Sequence, residues 1–208
     1  MKRALILFSL SIILLSACTS NNTPKTQYYL LNSPTLNTSV GDTNSASIIN
    51  NTNTPTITVN VLELPDYLKQ PGLVLQLSDH QLHYSNFHMW AETLQHSVAH
   101  TLTQDLNTID QRNYYVTAAM PNKRTDDTEL IIEVTAFHAT HQSQVILTGS
   151  YWLQESKIDR LVKKHNFKLM VALTVDGYPH AVHKMRQAIT LLSADISKNL
   201  NKNKQPDK

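Results

Sequence analysis

The N-terminal leader constrains this chain most, because it sets the compartment in which everything downstream must fold. Lys2 and Arg3 form a short basic stretch, and a mostly apolar run follows from Ala4 to Leu15. Such a run is too short for a bilayer-spanning helix, which takes about 20 apolar residues. A basic stretch, an apolar run and then a few small residues form the three-part pattern that is typical of a secretory signal peptide. We therefore predict that residues 1–17 are a cleaved signal peptide.

The leader ends at Cys18, the only cysteine in the chain. The preceding Leu15-Ser16-Ala17 resembles the lipobox of bacterial prolipoproteins, in which the cysteine thiol is alkylated with diacylglycerol before cleavage just ahead of it. A single cysteine cannot form a disulfide within the chain, although an exported protein meets an oxidising compartment. Lipidation of Cys18 explains the lone thiol. The alternative is an ordinary secreted protein whose cysteine lies near the cleavage site by chance.

Lipidation at this position predicts permanent membrane attachment. One acyl chain binds a bilayer only marginally, at about 0.8 kcal/mol per buried CH₂, whereas two or more anchor stably. Thr19 follows the cysteine, in place of the aspartate that typically retains such proteins in the inner membrane. We therefore expect the protein on the periplasmic face of the outer membrane. Residues 18–27 form the predicted tether, and nine extended residues span at most roughly 30 Å.

Charge and glycine content exclude several classes of function. Without the leader, Lys and Arg together equal the 16 Asp and Glu, so the mature protein lacks the basic excess expected of a nucleic-acid binder. A P-loop, a dinucleotide fingerprint or a G-x-S-x-G nucleophile elbow would need clustered glycines. The chain has only four, which are widely spaced: Gly41, Gly72, Gly149 and Gly177. We expect neither nucleic acid nor a cofactor as a ligand.

Apolar periodicity predicts one folded domain over residues 28–200. Stretches alternating with period two indicate strands, at 27–31, 57–64, 73–77, 81–84, 114–118, 130–136, 145–153 and 167–175. Stripes spaced at 3.6 residues indicate two amphipathic helices, at 90–109 and from Pro179 onward. The predicted fold is α/β, a single two-layer domain with a mixed, largely antiparallel sheet. The Asn/Thr/Ser-rich residues 32–56 read as a flexible loop, and residues 201–208 as a disordered tail.

Histidine is abundant, but no histidine pattern indicates a metal site. His96 and His100 lie four residues apart on the first predicted helix, where both rings share one face. A zinc site needs three or four ligands, and the only cysteine is the predicted lipidation site. His138 and His141 are predicted to face opposite sides of a strand. No local motif joins a serine, a histidine and an aspartate into a catalytic group, so we expect no enzyme.

Five short segments, taken in order, resemble the ABC-type transport auxiliary lipoproteins. They are Tyr28-Tyr29-Leu30-Leu31, Leu64-Pro65-Asp66-Tyr67-Leu68, Trp90-Ala91-Glu92-Thr93-Leu94, Gly149-Ser150-Tyr151-Trp152-Leu153 and Asp176-Gly177-Tyr178. The resemblance runs from about residue 28 to residue 198. Many members have arginine before the tryptophan and proline after the glutamate, where this chain has Met89 and Thr93, so no role carried by that arginine transfers.

The resemblance implies a non-enzymatic part in lipid transport between the inner and outer membranes. An inner-membrane partner with MCE domains would span the periplasm as a tube, and this lipoprotein would receive its tip at the outer membrane, either as a monomer or as a homo-oligomer. The alternative is a stand-alone outer-membrane lipoprotein that binds a ligand or assists envelope assembly.

A protein–protein surface is predicted around the segment from Leu64 to Leu68. Two prolines bracket an irregular stretch there, and irregular stretches at sheet ends often carry function. Tyrosine is enriched at interfaces because it combines a large apolar face with a polar tip. The predicted interface residues are Pro65, Tyr67, Leu68, Trp90 and Glu92. The alternative is that Tyr67 and Leu68 pack on the domain's own core.

Overall fold

The computed structural model describes residues 24–32, 54–118, 128–155 and 163–203. The predicted signal peptide, Cys18, most of the predicted loop 32–56 and the last five residues of the predicted tail lie outside these ranges. The predictions made for them therefore stay predictions.

Within the described residues, eight strands form one sheet and two helices pack on it. The strands are β1 (Gln27–Tyr29), β2 (Thr56–Glu63), β3 (Gly72–Ser78), β4 (Gln81–Trp90), β5 (Tyr114–Thr117), β6 (Thr128–Thr140), β7 (Gln144–Glu155) and β8 (His165–Ala172). The helices are α1 (Leu94–Ile109) and α2 (Tyr178–Asn203). This arrangement confirms the predicted single domain with a mixed sheet and two helices. No helix in the described part of the chain is long and apolar enough to cross a membrane.

Strand β6 organises the sheet. Along one edge it pairs antiparallel with β7, which in turn pairs antiparallel with β8. Along its other edge it pairs parallel with β2 over its first half and with β3 near its end. The outer strands complete the order β1-β4-β3-β6-β2-β5, in which β1 and β5 run parallel to their neighbours. The segment that links β2 to β3 therefore lies beside the middle of β6.

A bulge interrupts the middle of β6. Val134 pairs with Gly149 and Ala136 with Thr148, so Thr135 is an extra residue on the bulged strand. Period-two alternation over the predicted strand 130–136 places Ala136 on the same face as Leu130, but the extra residue reverses the alternation beyond the bulge. Beyond the bulge, Phe137 and Ala139 belong to the hydrophobic core and Ala136 does not.

Both helices cover the same face of the sheet. Buried residues spaced along α1 and α2 meet the core faces of the strands, and β6 and β7 contribute the most deeply buried ones. Arg186 of α2 reaches across to Asp105 of α1 with two parallel hydrogen bonds, of 2.8 Å and 2.5 Å. This bidentate pair fixes the helices relative to each other.

Several predicted boundaries were wrong, and β4, predicted to end at Tyr84, extends to Trp90. The first helix begins at Leu94 rather than at Trp90, because β4 continues to Trp90 to pair with β1. The last strand ends at Ala172, and Val175 is exposed. The second helix extends to Asn203, so the first three residues of the predicted tail are helical.

Candidate functional site

The Pro65–Leu68 segment fills a gap along β6. The amide of Leu68 donates to the carbonyl of Pro65 at 2.8 Å, which closes a 3-10 turn over Asp66–Leu68. This turn lies between the stretches of β6 that β2 and β3 occupy. The Tyr67 hydroxyl donates to the carbonyl of Thr135, the bulged residue, at 3.4 Å. The turn therefore lies along the edge of β6 opposite β7, and the Tyr67 hydroxyl contacts β6 there.

The Tyr67 ring is half-buried and lies edge-on to a buried histidine. Its centroid is 5.7 Å from that of His138, at an interplanar angle of 65°. Burial, followed by the nearby Tyr84, raises the pKa of Tyr67 to about 12. Burial also lowers the pKa of His138 below its ordinary value. Both side chains are therefore neutral at physiological pH, and Tyr67 offers a partner an apolar ring edge rather than a charge.

Leu68 and Trp90 are core residues, which is the alternative left open by the sequence for Leu68. They are only 3% and 7% exposed. Both line a small apolar crevice of about 10 Å³ between β3, β6 and the first turn of each helix. The crevice also receives Phe137 and Met185. Neither Leu68 nor Trp90 can present its side chain to a partner without opening the core, so the prediction that they belong to an interface fails on burial.

Glu92 and Pro65 remain at the surface. Glu92 is exposed just ahead of α1, and its Oε1 accepts a hydrogen bond of 2.5 Å from the Ser97 hydroxyl. Its Oε2 lies 3.8 Å from Nε2 of His96. A carboxylate at this position also interacts favourably with the positive end of the helix dipole. Pro65 is half-buried. The accessible part of the predicted interface is thus Pro65, Tyr67 and Glu92.

The two histidines on α1, His96 and His100, contact each other. The rings of His96 and His100 stack with centroids 6.2 Å apart. The described residues hold no group of three or more His, Cys, Asp or Glu side chains placed to bind a metal ion.

A comparison with models of known families shows the family of this chain. A family model described as the ABC-type transport auxiliary lipoprotein component matches residues 35–197, most of the chain. The chain belongs to this family.

Curated relatives of this auxiliary lipoprotein carry a more specific name. The chain is 30% identical over 142 residues to the intermembrane transport lipoprotein PqiC of Escherichia coli K12, covering 68% of this chain and 73% of the relative. The match to PqiC of Shigella flexneri has the same values.

Solved structures share the auxiliary-lipoprotein fold. One, of an uncharacterised protein, has a TM-score of 0.67 at 26% identity and covers 85% of this chain and 99% of the other. A second, from Xanthomonas campestris, has a TM-score of 0.59 at 13% identity and covers 69% and 81%. The second likeness supports the fold alone.

Four of the five segments that carry the resemblance to auxiliary lipoproteins meet in space. Leu68, Trp90, Leu94 and Tyr178 line the crevice, and Trp90 pairs with Tyr29 of β1. The Gly149 segment lies opposite the β6 bulge. These segments therefore mark packing and backbone positions of the fold.

Sequence reasoning missed the cluster that fixes the tether strand. The Tyr29 hydroxyl lies 2.8 Å from Nδ1 of His88, and the His88 ring stacks on Tyr178 with centroids 3.9 Å apart. The amide of Ala91 donates to the Tyr29 carbonyl at 2.9 Å. The end of β4 thus holds β1 in place, and the start of α2 supports His88 through Tyr178. The two tyrosines stand in segments of the resemblance, but no local signal joins them to His88.

Proposed function

We propose that this protein is an outer-membrane-anchored, periplasmic component of an intermembrane lipid transport system, where it docks an MCE-domain partner. One observation carries the proposal, namely the match to PqiC, named an intermembrane transport lipoprotein, within the family to which the chain belongs. The lipobox at Cys18 supplies the anchor, and its position supports attachment close to the folded domain. At most roughly 30 Å of extended chain separates Cys18 from β1, so a partner must cover the distance to the inner membrane.

The size of the apolar crevice favours docking over ligand carriage. Sites for small molecules usually enclose about 300–1,000 Å³. The crevice beside Trp90 has a volume of about 10 Å³, room for about one water molecule. A lipid acyl chain does not fit there unless the core opens. This argues against the alternative, a stand-alone lipoprotein that binds a ligand, so far as the described residues are concerned. No catalytic step is needed for the docking role.

The proposed docking surface consists of Pro65, Tyr67 and Glu92. Tyr67 is the central contact because a half-buried tyrosine already held by packing loses little conformational freedom when a partner covers it. Its position is fixed by the Thr135 carbonyl and the His138 ring. The exposed Glu92 carboxylate adds a negative charge, which would favour a basic patch on the partner.

Replacing Tyr67 by alanine is expected to weaken complex formation about a hundredfold, equivalent to about 3 kcal/mol. Because the ring is only half-buried, we expect the free energy of unfolding to fall by less, about 1.5 kcal/mol. Tyr67→Phe removes only the long hydroxyl hydrogen bond and should leave both quantities nearly unchanged. The measurement is co-purification with the MCE partner from detergent-solubilised envelopes, together with thermal unfolding and size-exclusion chromatography of each variant.

The matched control is Tyr114→Ala, since Tyr114 is an exposed tyrosine on the outer strand β5. It should neither weaken the complex nor alter self-association. A stable Tyr67→Ala protein that still recovers the partner in full would remove this surface. Failure of the wild type to recover any MCE partner would contradict the proposed function itself.

A further inference from the structure

The β3–β4 hairpin carries exposed apolar side chains that the fold does not use. Leu77, Leu82 and Phe87 are all at least one-third exposed, and we call these three residues the hairpin patch. Near the hairpin end they occupy both faces. Leu82 shares a face with its partner Gln76, whereas Leu77 follows Gln76 on the same strand and points to the other side. A flat protein partner would cover only one of these faces.

The direction of β1 brings the anchor toward this hairpin. Strand β1 runs parallel to β4, with Gln27 beside His88 and Tyr29 beside Trp90. The chain preceding Gln27 therefore approaches from the side on which the hairpin turn lies. From His88 back to the start of β4 at Gln81 is about 23 Å at roughly 3.3 Å per residue. The residues between Cys18 and Gln27 span at most roughly 30 Å, so the chain that precedes β1 is long enough to reach past the hairpin turn.

The tether strand cannot swing away from the hairpin. Tyr29 is tied to His88 through its hydroxyl and to Ala91 through its carbonyl. Tyr28, the most exposed large apolar residue in the described chain, lies opposite Met89 at the base of the hairpin. The orientation of the hairpin relative to the membrane is thus limited by a short chain leaving from a fixed strand.

The charges on this side suit a phospholipid headgroup layer. Residues 80–91 contain no Asp or Glu, which anionic headgroups would repel, and the basic Lys25 precedes β1. Anionic headgroups attract basic residues, and tyrosine is enriched where one end of a side chain is apolar and the other wet. The one acidic residue of the hairpin, Asp79, lies in its turn. A charged carboxylate is costly in hydrocarbon, so the turn stays on the aqueous side of the headgroup layer.

We infer that the β3–β4 hairpin lies in the headgroup layer of the membrane to which Cys18 is attached, with the hairpin patch against the lipid. This inference rests on the proposed anchor but not on the MCE partner. It gives the domain one defined face toward its own membrane, on the side from which the tether enters.

The test uses the lipidated protein alone in vesicles of phosphatidylethanolamine and phosphatidylglycerol. Because Cys18 carries the lipid, an introduced cysteine is the only free thiol, and a nitroxide can be attached to it selectively. Leu82→Cys and Phe87→Cys report on the patch. Met170→Cys on β8 and Leu191→Cys on α2 are controls of comparable exposure elsewhere on the domain. Collision rates with oxygen, which partitions into lipid, and with a water-soluble nickel chelate are measured for each label.

We expect the oxygen-to-nickel collision ratio to be severalfold higher at positions 82 and 87 than at positions 170 and 191. Equal ratios on vesicles that float with the protein would overturn the inference and leave the anchor and the docking role standing. Shielding from both quenchers would show that a second copy covers the hairpin, and would also overturn it. Protein that fails to float would overturn the anchor, and with it both this inference and the membrane part of the proposed function.

Discussion

Replacing Gly149 by alanine is expected to destabilise the domain by about 3 kcal/mol, which lowers the melting temperature by roughly 10 °C. A Cβ at this position would lie 2.0 Å from the backbone carbonyl oxygen of Glu133 and 2.8 Å from the Phe167 ring. The carbonyl cannot move aside easily, because it belongs to the central strand next to the bulge. The glycine of the Gly149–Leu153 segment is thus required for close approach of two strands.

Gln154→Ala provides the control for Gly149→Ala. Gln154 is exposed on the same strand and pairs with Glu129. Its replacement should change the free energy of unfolding by less than about 0.5 kcal/mol. Thermal unfolding followed by circular dichroism measures both variants. A Gly149→Ala protein with wild-type stability would show that β6 and β7 are not held together as described.

Loss of the lipid should release the protein from the membrane completely. Replacing residues 1–17 by a signal peptide that is cleaved without lipidation, together with Cys18→Ser, removes the thiol that carries the diacylglycerol. Since each buried CH₂ contributes about 0.8 kcal/mol, no exposed patch on the domain can replace the acyl chains. We expect the variant in the soluble periplasmic fraction, while the wild type fractionates with the outer membrane.

Mass spectrometry of the wild type tests the same prediction directly. The mature protein should begin at Cys18 and carry the added mass of its lipids. A matched sorting variant, Thr19→Asp, should stay lipidated but move to the inner membrane. An unmodified Cys18 would contradict the anchor, whereas inner-membrane fractionation of the wild type would contradict only the sorting.

Local periodicity was enough to predict the strands and helices, because each buries one face against a single core. Phe167 and Val171 alternate as a half-buried strand requires, and Ile189, Leu192 and Ile196 follow a helical stripe, all of them buried. The order in which the strands pair could not be predicted from the sequence. Strands β2 and β3 share one edge of β6, yet the residues that pair there are more than fifty positions apart along the chain. The bulge at Thr135 has no local signature either, and it reversed the prediction for Ala136.

The candidate site was only partly predictable for a related reason. An apolar residue in a loop can cover its own core or a partner, and the sequence does not distinguish the two. Leu68 and Trp90 turned out to be core residues, whereas Glu92 stays at the surface and Tyr67 is half-covered. The cluster that fixes β1 joins residues 29, 88 and 178, a set that only the folded chain brings together.

The most direct test of the anchored docking role is recruitment of the purified MCE-domain partner to vesicles. Vesicles that carry the lipidated protein are mixed with the partner in the absence of detergent and floated on a density gradient. We predict that the partner floats with these vesicles, and stays at the bottom with empty vesicles or with the soluble Cys18→Ser domain. A partner that remains at the bottom while the lipidated protein floats would contradict the docking role.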